Sequence, residues 1–257
     1  YFYIRSSSKN KIRNIRLGFY IFIKQYHFFI FNYKNPLKNM FLNSFYLFQI
    51  YRYMSDFYRD PKRKIGSQSE SPSIKYENEN IIVKGYQIFT IDKITRRITY
   101  KGKKEKFKYI EKIFNELNKN NNCKSIVDIG CSSGLSSFIA LNSNFDNIVS
   151  LDHDPEYIKI LKKIKESCNI TKINEFLYKF GDNLNDKFDV VFCGAIIHWI
   201  FSLTADFRKF DKIISYLDSI SNNFLIIEWV DPMDRAIKSL NHIKKRGKID
   251  DEEYCTE

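Results

Sequence analysis

From Ser125 onward, short apolar runs alternate with longer stretches in which apolar residues recur every three or four positions. Residues 125–129, 148–151, 176–180, 188–193 and 224–230 have strand length and are bounded by polar or turn-forming residues. Residues 155–166 and 205–220 have helical spacing. Ahead of them, residues 104–117 place Phe107, Ile110, Ile113, Phe114 and Leu117 on one helical face, and the polar run from Asn118 to Asn122 ends that helix. Strands that alternate with helices predict an α/β fold: a doubly wound, mostly parallel sheet with helices on both faces. This unit is expected over residues 104–257.

The pattern differs upstream. Residues 81–83 and 86–91 read as short strands, and 97–100 alternates polar with apolar, so a small N-terminal β-element is expected over residues 74–103. Residues 54–73 hold Pro61, Gly66, Pro72, Ser67, Ser69, Ser71 and Ser73, the composition of an exposed, flexible segment. Residues 1–53 contain no Ala, Val, Thr, Asp or Glu, and seventeen of them are aromatic. Three readings compete for this basic aromatic extension. A membrane anchor within residues 17–50 is one, although Lys24, Gln25 and His27 interrupt the run and keep it below the roughly 18 continuous apolar residues of a span. A targeting segment is the second, since the stretch is basic and lacks acids. The third, which we favour, is translated upstream sequence, with Met54 or Met40 as the natural start.

Charge changes the picture less than its total suggests. The net +12 is concentrated in residues 1–53, which carry nine Lys or Arg; residues 54–257 hold 33 basic against 30 acidic residues. The globular part is nearly balanced and shows no overall footprint for a phosphate backbone. The five cysteines form no C-x-x-C pair and the four histidines do not cluster beside them, so no metal site or disulfide framework is expected. Scattered free cysteines suit a reducing, cytoplasmic setting.

Candidate chemistry begins at Asp128-Ile129-Gly130-Cys131-Ser132-Ser133-Gly134, between the first buried strand and a helix that starts near Leu135. A glycine-bearing turn there lets a ligand approach the backbone, and the helix's first N–H groups are free for polar atoms. The spacing is not G-x-G-x-x-G. An acid at the head of the loop repels a pyrophosphate and suits a cofactor with an amino group and a sulfonium cation. The second strand ends at Asp152, 22 residues after Gly130, where an acid binds ribose hydroxyls. His153-Asp154-Pro155-Glu156 then opens a helix, with Asp154 equally suited to capping it. Gly181-Asp182-Asn183 follows the third strand.

These residues resemble the class I S-adenosylmethionine-dependent methyltransferases, over about residues 105–245. The resemblance implies S-adenosyl-L-methionine as cofactor. It implies that Gly130 and Gly134, with Cys131 and Ser132 between them, pack against it. Asp128 would fix the loop and the methionine amino group, Asp152 with His153 the ribose, and Asp182 with Asn183 the adenine. Ser132 stands where the family usually has its central glycine. Asp182 is also an ordinary turn former.

By the same resemblance, the acceptor meets the cofactor beyond the fourth strand, in Gly194-Ala195-Ile196-Ile197-His198-Trp199. This loop lacks the Asn/Asp-Pro-Pro-aromatic motif of base-amine enzymes and the acid of Lys-Asp-Lys-Glu ribose enzymes. The chain also has no Pro-Cys pair of the cytosine C5 kind. His198 is the candidate general base because its pKa lies near neutrality, with a pocket-lining role as the alternative. Trp199 is expected to wall the pocket, and Glu228 to touch the acceptor; Asp231 suits a helix cap. Small-molecule O-methylation is favoured, with an RNA- or protein-directed enzyme as the alternative and a non-catalytic cofactor-binding subunit as the third reading. For the RNA reading the basic residues of the β-element, Lys75, Lys84, Lys93, Arg96 and Arg97 among them, are the suggestive feature. The family's sheet usually continues past the fifth strand with a helix and an antiparallel hairpin. Here residues 236–245 look helical but no hairpin follows, so truncation at the C-terminus and an open edge on the fifth strand are expected.

Overall fold

The computed structural model describes residues 18–23, 26–32, 71–100, 104–203 and 209–229. In chain order the elements are β1 (Gly18–Ile23), β2 (Tyr26–Asn32), β3 (Ser73–Glu77), β4 (Asn80–Lys84), β5 (Phe89–Asp92), β6 (Ile98–Tyr100), α1 (Lys104–Asn121), β7 (Ser125–Ile129), α2 (Leu135–Asn142), β8 (Asn147–Asp152), α3 (Pro155–Ser167), β9 (Ile173–Leu177), β10 (Phe188–Cys193), α4 (Ile197–Leu203), α5 (Phe210–Ser219) and β11 (Ser221–Trp229). The main sheet runs β1-β2-β11-β10-β7-β8-β9, and a second sheet runs β3-β4-β5-β6.

Strands β9, β8, β7, β10 and β11 are parallel. Their side chains divide by the two-residue period into two cores. Ile126, Ile148, Val190, Phe192, Phe224 and Ile226 join Phe114 of α1, Phe138 of α2 and Leu161 of α3. Val127, Ile129, Leu151, Val191, Cys193 and Leu225 join Ile197 of α4 and Ile213 of α5. Burial on both faces is why these strands read as continuous apolar runs. The doubly wound α/β architecture is as expected.

Helix ends follow local chemistry. Asp154 caps α3 by accepting the Glu156 N–H at 2.9 Å, and Pro155 begins the helix. After α1, α2 and α3 the chain turns through Asn122, Asn144 and Asn169, all with positive φ, the role glycine usually fills. Asn118 closes the first of these turns by donating to the carbonyls of Cys123 (2.9 Å) and Asn144 (3.0 Å).

The small β-element is present and gains a strand, β3, ahead of those expected. It is not a separate layer. Ile81, Val83, Phe89 and Ile91 are fully buried in the same core as α2 and α3, and the rings of Phe89 and Phe138 lie 5.8 Å apart.

Three local expectations need correction. The third strand is Ile173–Leu177 rather than 176–180, because Ile173 is the buried residue while Phe176 and Leu177 lie exposed. The long helix expected over 205–220 is represented by α5, with α4 ahead of it across residues 204–208, which lie outside the described residues. The fifth strand is not an open edge. β2 pairs antiparallel with β11 from Phe224↔Asn32 to Trp229↔His27, and β1 folds back antiparallel on β2. The two strands that continue the sheet past β11 come from residues 18–32, within the basic aromatic stretch. The expected helix at 236–245, Asp231, and the segment at 54–70 lie outside the described residues.

Candidate cofactor and acceptor site

The registers Ile129↔Leu151 and Cys193↔Ile129 align the carboxyl ends of β8, β7 and β10, so the three loops that follow emerge side by side. The first leaves β7 by extending its ladder: the N–H groups of Gly130 and Cys131 both donate to the Leu151 carbonyl, at 2.8 and 3.0 Å. The next N–H, from Ser132, donates to Asp152 Oδ2 at 2.7 Å. Gly134 closes the turn on the Cys131 carbonyl at 2.9 Å.

Two glycines are required here. Gly130 has φ +73°, and a Cβ on it would lie 2.2 Å from Ile196 Cδ1; Gly134 has φ +88°, and its Cβ would lie 2.6 Å from Leu161 Cδ1. The first contact seats the loop after β10 on the loop after β7, and the second seats α2 on α3. Ser132, in the family's central glycine position, also has a left-handed φ of +53°. A serine tolerates this at a cost of about 1 kcal/mol.

Asp128 is buried and ties β7 to α2. The Ser137 hydroxyl donates to its Oδ2 at 2.7 Å, and the Ser150 hydroxyl donates to Ser137 at 2.7 Å. Burial pushes the Asp128 carboxyl up to about 7, and neighbouring Asp152 adds to the rise while hydrogen bonds from Ser137 oppose it. Asp152 keeps both oxygens engaged: besides Ser132, the Asp154 N–H reaches Oδ1 at 3.0 Å and His153 Nδ1 lies 3.4 Å from it. His153 itself is exposed. Cys131 is buried, and burial pushes its thiol far above the ordinary range, so it is no nucleophile.

Asp182 and Asn183 are exposed after β9. The Asp182 carboxylate accepts the Lys179 N–H at 3.0 Å, and its carbonyl accepts the hydroxyls of Tyr178 (3.2 Å) and Tyr216 (2.8 Å). Those two hydroxyls also bond each other. The loop after β9 is thus fastened to α5.

On the acceptor side, β10 ends at Cys193, and the chain turns through Ala195 at φ +49° into α4. His198 is buried, and Trp199 is 37% exposed beside it, with ring centroids 5.7 Å apart. Glu228 is 1% exposed, and the Lys106 ammonium on α1 lies 2.7 Å from its Oε2. A Cβ at Gly194 would lie 3.7 Å from that same oxygen, so this ion pair sits directly beneath the loop that follows β10. Lys106 carried no signal in the sequence, because it lies in the charged string Lys103-Lys104-Glu105-Lys106, which reads as a solvated face.

Three of the basic residues of the small sheet are engaged within the protein. Lys75 pairs with Glu77 at 2.5 Å and Lys93 with Glu79 at 3.6 Å. Arg96 donates to the carbonyls of Cys168 and Asn169, each at 3.2 Å, at the end of α3. Among the described residues no group of three or more His, Cys, Asp or Glu side chains is placed to hold a metal ion, and no helix is long and apolar enough to cross a membrane.

Residues 108–217 match the family model of ribosomal protein L11 methyltransferase (PrmA). No curated protein matches the chain in sequence. Among solved structures, WbdD is 16% identical, with a TM-score of 0.48 over 60% of this chain and 34% of that one. Magnesium protoporphyrin IX methyltransferase (ChlM) from Synechocystis PCC 6803 with bound SAH is 18% identical, with a TM-score of 0.43 over 55% of this chain and 63% of that one. The methyltransferase PaMTH1 from Podospora anserina, SAH-bound, is 16% identical, with a TM-score of 0.37 over 48% and 50%. The chain spans only 28–37% of the length of the WbdD structures it matches. The matched segment contains the acid-and-glycine loop, the strand-end acid Asp152 and the parallel strands β7 and β8 that bring them together, and over these residues the chain is similar to a methyltransferase family, consistent with the class I S-adenosylmethionine-dependent methyltransferases.

Proposed function

We propose that the chain transfers the methyl group of S-adenosylmethionine to an oxygen atom of a small-molecule acceptor. The observation that carries the cofactor half is the Ser132 N–H held on the Asp152 carboxylate at 2.7 Å, which joins the glycine loop to the ribose-binding acid. The loop also contains a polar group in need of a partner: the Ser133 hydroxyl is fully buried and has none among the described residues. A polar ligand laid along the loop offers it one.

In this reading Asp152, with His153 at its rim, receives the ribose hydroxyls. Asp182 and Asn183, exposed at the next strand end, take the adenine. Asp128 holds the loop from below, and Gly130, Cys131, Ser132 and Gly134 shape it. The cofactor supplies a methyl group on a cationic sulfur, and an in-line displacement by the acceptor's lone pair releases a neutral thioether. The protein's task is to align the acceptor and keep water out. Trp199 forms the exposed wall, Glu228 lies beneath the acceptor, and His198 receives the hydroxyl proton. The acceptor loop carries none of the motifs for nucleic-acid bases or ribose, and Lys75, Lys93 and Arg96 are engaged within the protein, which supports a small molecule over RNA. A protein acceptor is the second reading, favoured by the match to a family named for a ribosomal protein substrate. The described cysteines are free, in keeping with a cytoplasmic setting.

Calorimetry with S-adenosylmethionine tests the cofactor, and absence of binding sinks the reading. Labelled methyl transfer into separated RNA, protein and metabolite fractions tests the acceptor. Label is expected in metabolites, and label confined to protein or RNA overturns the small-molecule assignment.

A further inference from the structure

Gln87 sits between β4 and β5, and its Oε1 accepts the main-chain N–H of Leu135 at 3.1 Å. Leu135 opens α2 and directly follows Gly134. From another sheet, Gln87 therefore reaches the first helical N–H behind the cofactor loop. The contact is braced on several sides. Phe89, two residues on, packs against Phe138 of α2. The Tyr157 hydroxyl on α3 bonds the main chain of Tyr86. Arg96 and Tyr76 fasten the far end of the small sheet to the end of α3, through the Cys168 and Asn169 carbonyls and the Ser167 hydroxyl (3.0 Å).

An amide whose oxygen accepts an N–H carries its two donors on the other branch. Leu135, whose N–H the amide oxygen accepts, lies two residues after Ser133, whose buried hydroxyl has no partner among the described residues. Neutral donors grouped at a helix N-terminus suit a carboxylate. We propose that Gln87 is a cofactor-positioning residue that holds the carboxylate of the amino-acid end of S-adenosylmethionine, with the small sheet forming that wall of the site. This rests on the cofactor reading above. It gives the small sheet a part in methyl-donor binding, beyond its share of the core.

The test is calorimetry on the full chain with two ligands: S-adenosylhomocysteine, and methylthioadenosine, which lacks the amino-acid end. Gln87→Ala weakens S-adenosylhomocysteine about tenfold, the scale of a hydrogen bond to a charged group, and leaves methylthioadenosine unchanged. Gln87→Glu separates positioning from capping. It keeps an oxygen for the Leu135 N–H, so Tm is preserved, yet it sets a carboxylate against a carboxylate and weakens S-adenosylhomocysteine further. Wild-type affinity in the Glu variant, or equal weakening of both ligands in the Ala variant, overturns the proposal. Failure of the wild-type chain to bind either ligand overturns the cofactor reading itself, which is a different result.

Discussion

The Ser132 N–H and the Asp152 carboxylate meet at 2.7 Å across 20 residues of chain, and Asp152 uses its other oxygen on the Asp154 N–H at 3.0 Å. One side chain thus sets the loop that follows β7 and the entry to α3 at once. Asp152→Asn keeps an acceptor for one of these N–H groups and removes the charge. It is expected to lower S-adenosylmethionine affinity by about ten- to a hundredfold with a modest loss of stability. Asp152→Ala leaves both N–H groups without the carboxylate and costs roughly 1–3 kcal/mol in denaturant unfolding as well. Calorimetry beside urea unfolding separates the two effects. Unchanged affinity in both variants removes Asp152 from the site.

Asp128 makes stability depend on pH. Its carboxyl is raised from 3.8 in the unfolded chain to about 7 in the fold, chiefly by burial. Below the unfolded value both states hold the proton. Between the two values the folded state keeps it while the unfolded chain has released it, so this contribution to stability is lost as pH rises, and it levels off above the folded value. Asp128→Asn removes the titration. Relative to wild type, the variant should gain on the order of a few kcal/mol as pH is raised from about 4 to about 7. Urea unfolding of both proteins at several pH values measures the difference, in which the remaining titrating groups largely cancel. A difference independent of pH shows that Asp128 is ionised throughout.

The parallel strands and the loop acids were legible because their causes are local. Ile126, Val127 and Ile129 are buried on alternating faces, so their run reads as a two-sided strand, and Asp128, Gly130, Gly134 and Asp152 all sit within five residues of a strand end. The placement of β9 was less legible. Phe176 and Leu177 drew the expected strand forward, but both are exposed, and the pairing Ile148↔Ile173 sets the register instead. Lys106 and Gln87 left no trace, since a charged residue at a helix start and a polar residue in a turn look solvated until a partner from elsewhere in the chain arrives. Strands β1 and β2 were hidden for another reason. Their aromatic, acid-free composition is unusual enough to suggest translation outside the fold, and nothing in it names β11 as the partner.

That last pairing can be tested directly. Ile30 lies in β2, between β1 and β11, opposite Phe19 on one side and Ile226 on the other. A proline in an interior strand removes a ladder hydrogen bond and clashes with the pleat, costing about 3 kcal/mol or more. Ile30→Pro should therefore lower the urea midpoint of the whole chain and speed hydrogen exchange along β11. If residues 18–32 lie outside the fold, as upstream translation would, the substitution leaves both measurements unchanged.

The Lys106–Glu228 pair calls for a double-mutant cycle, because the energetics of a buried ion pair depend on which partner is removed. The two charges lie 2.7 Å apart with side chains 9% and 2% exposed, so Lys106 compensates the Glu228 carboxylate for lost water. Lys106→Met strands a buried carboxylate beneath Gly194 and is expected to cost about 3–5 kcal/mol. Glu228→Gln strands the ammonium less severely, because Lys106, 8% exposed at the start of α1, has a shorter path to water. The double variant, Lys106→Met with Glu228→Gln, should recover a large part of the single losses. If Glu228 also touches the acceptor, methyl-transfer activity stays low in the double variant even where its stability returns, and KM for the acceptor rises while S-adenosylmethionine affinity is unchanged. Recovery of activity together with stability would assign the pair to holding α1 against β11 alone.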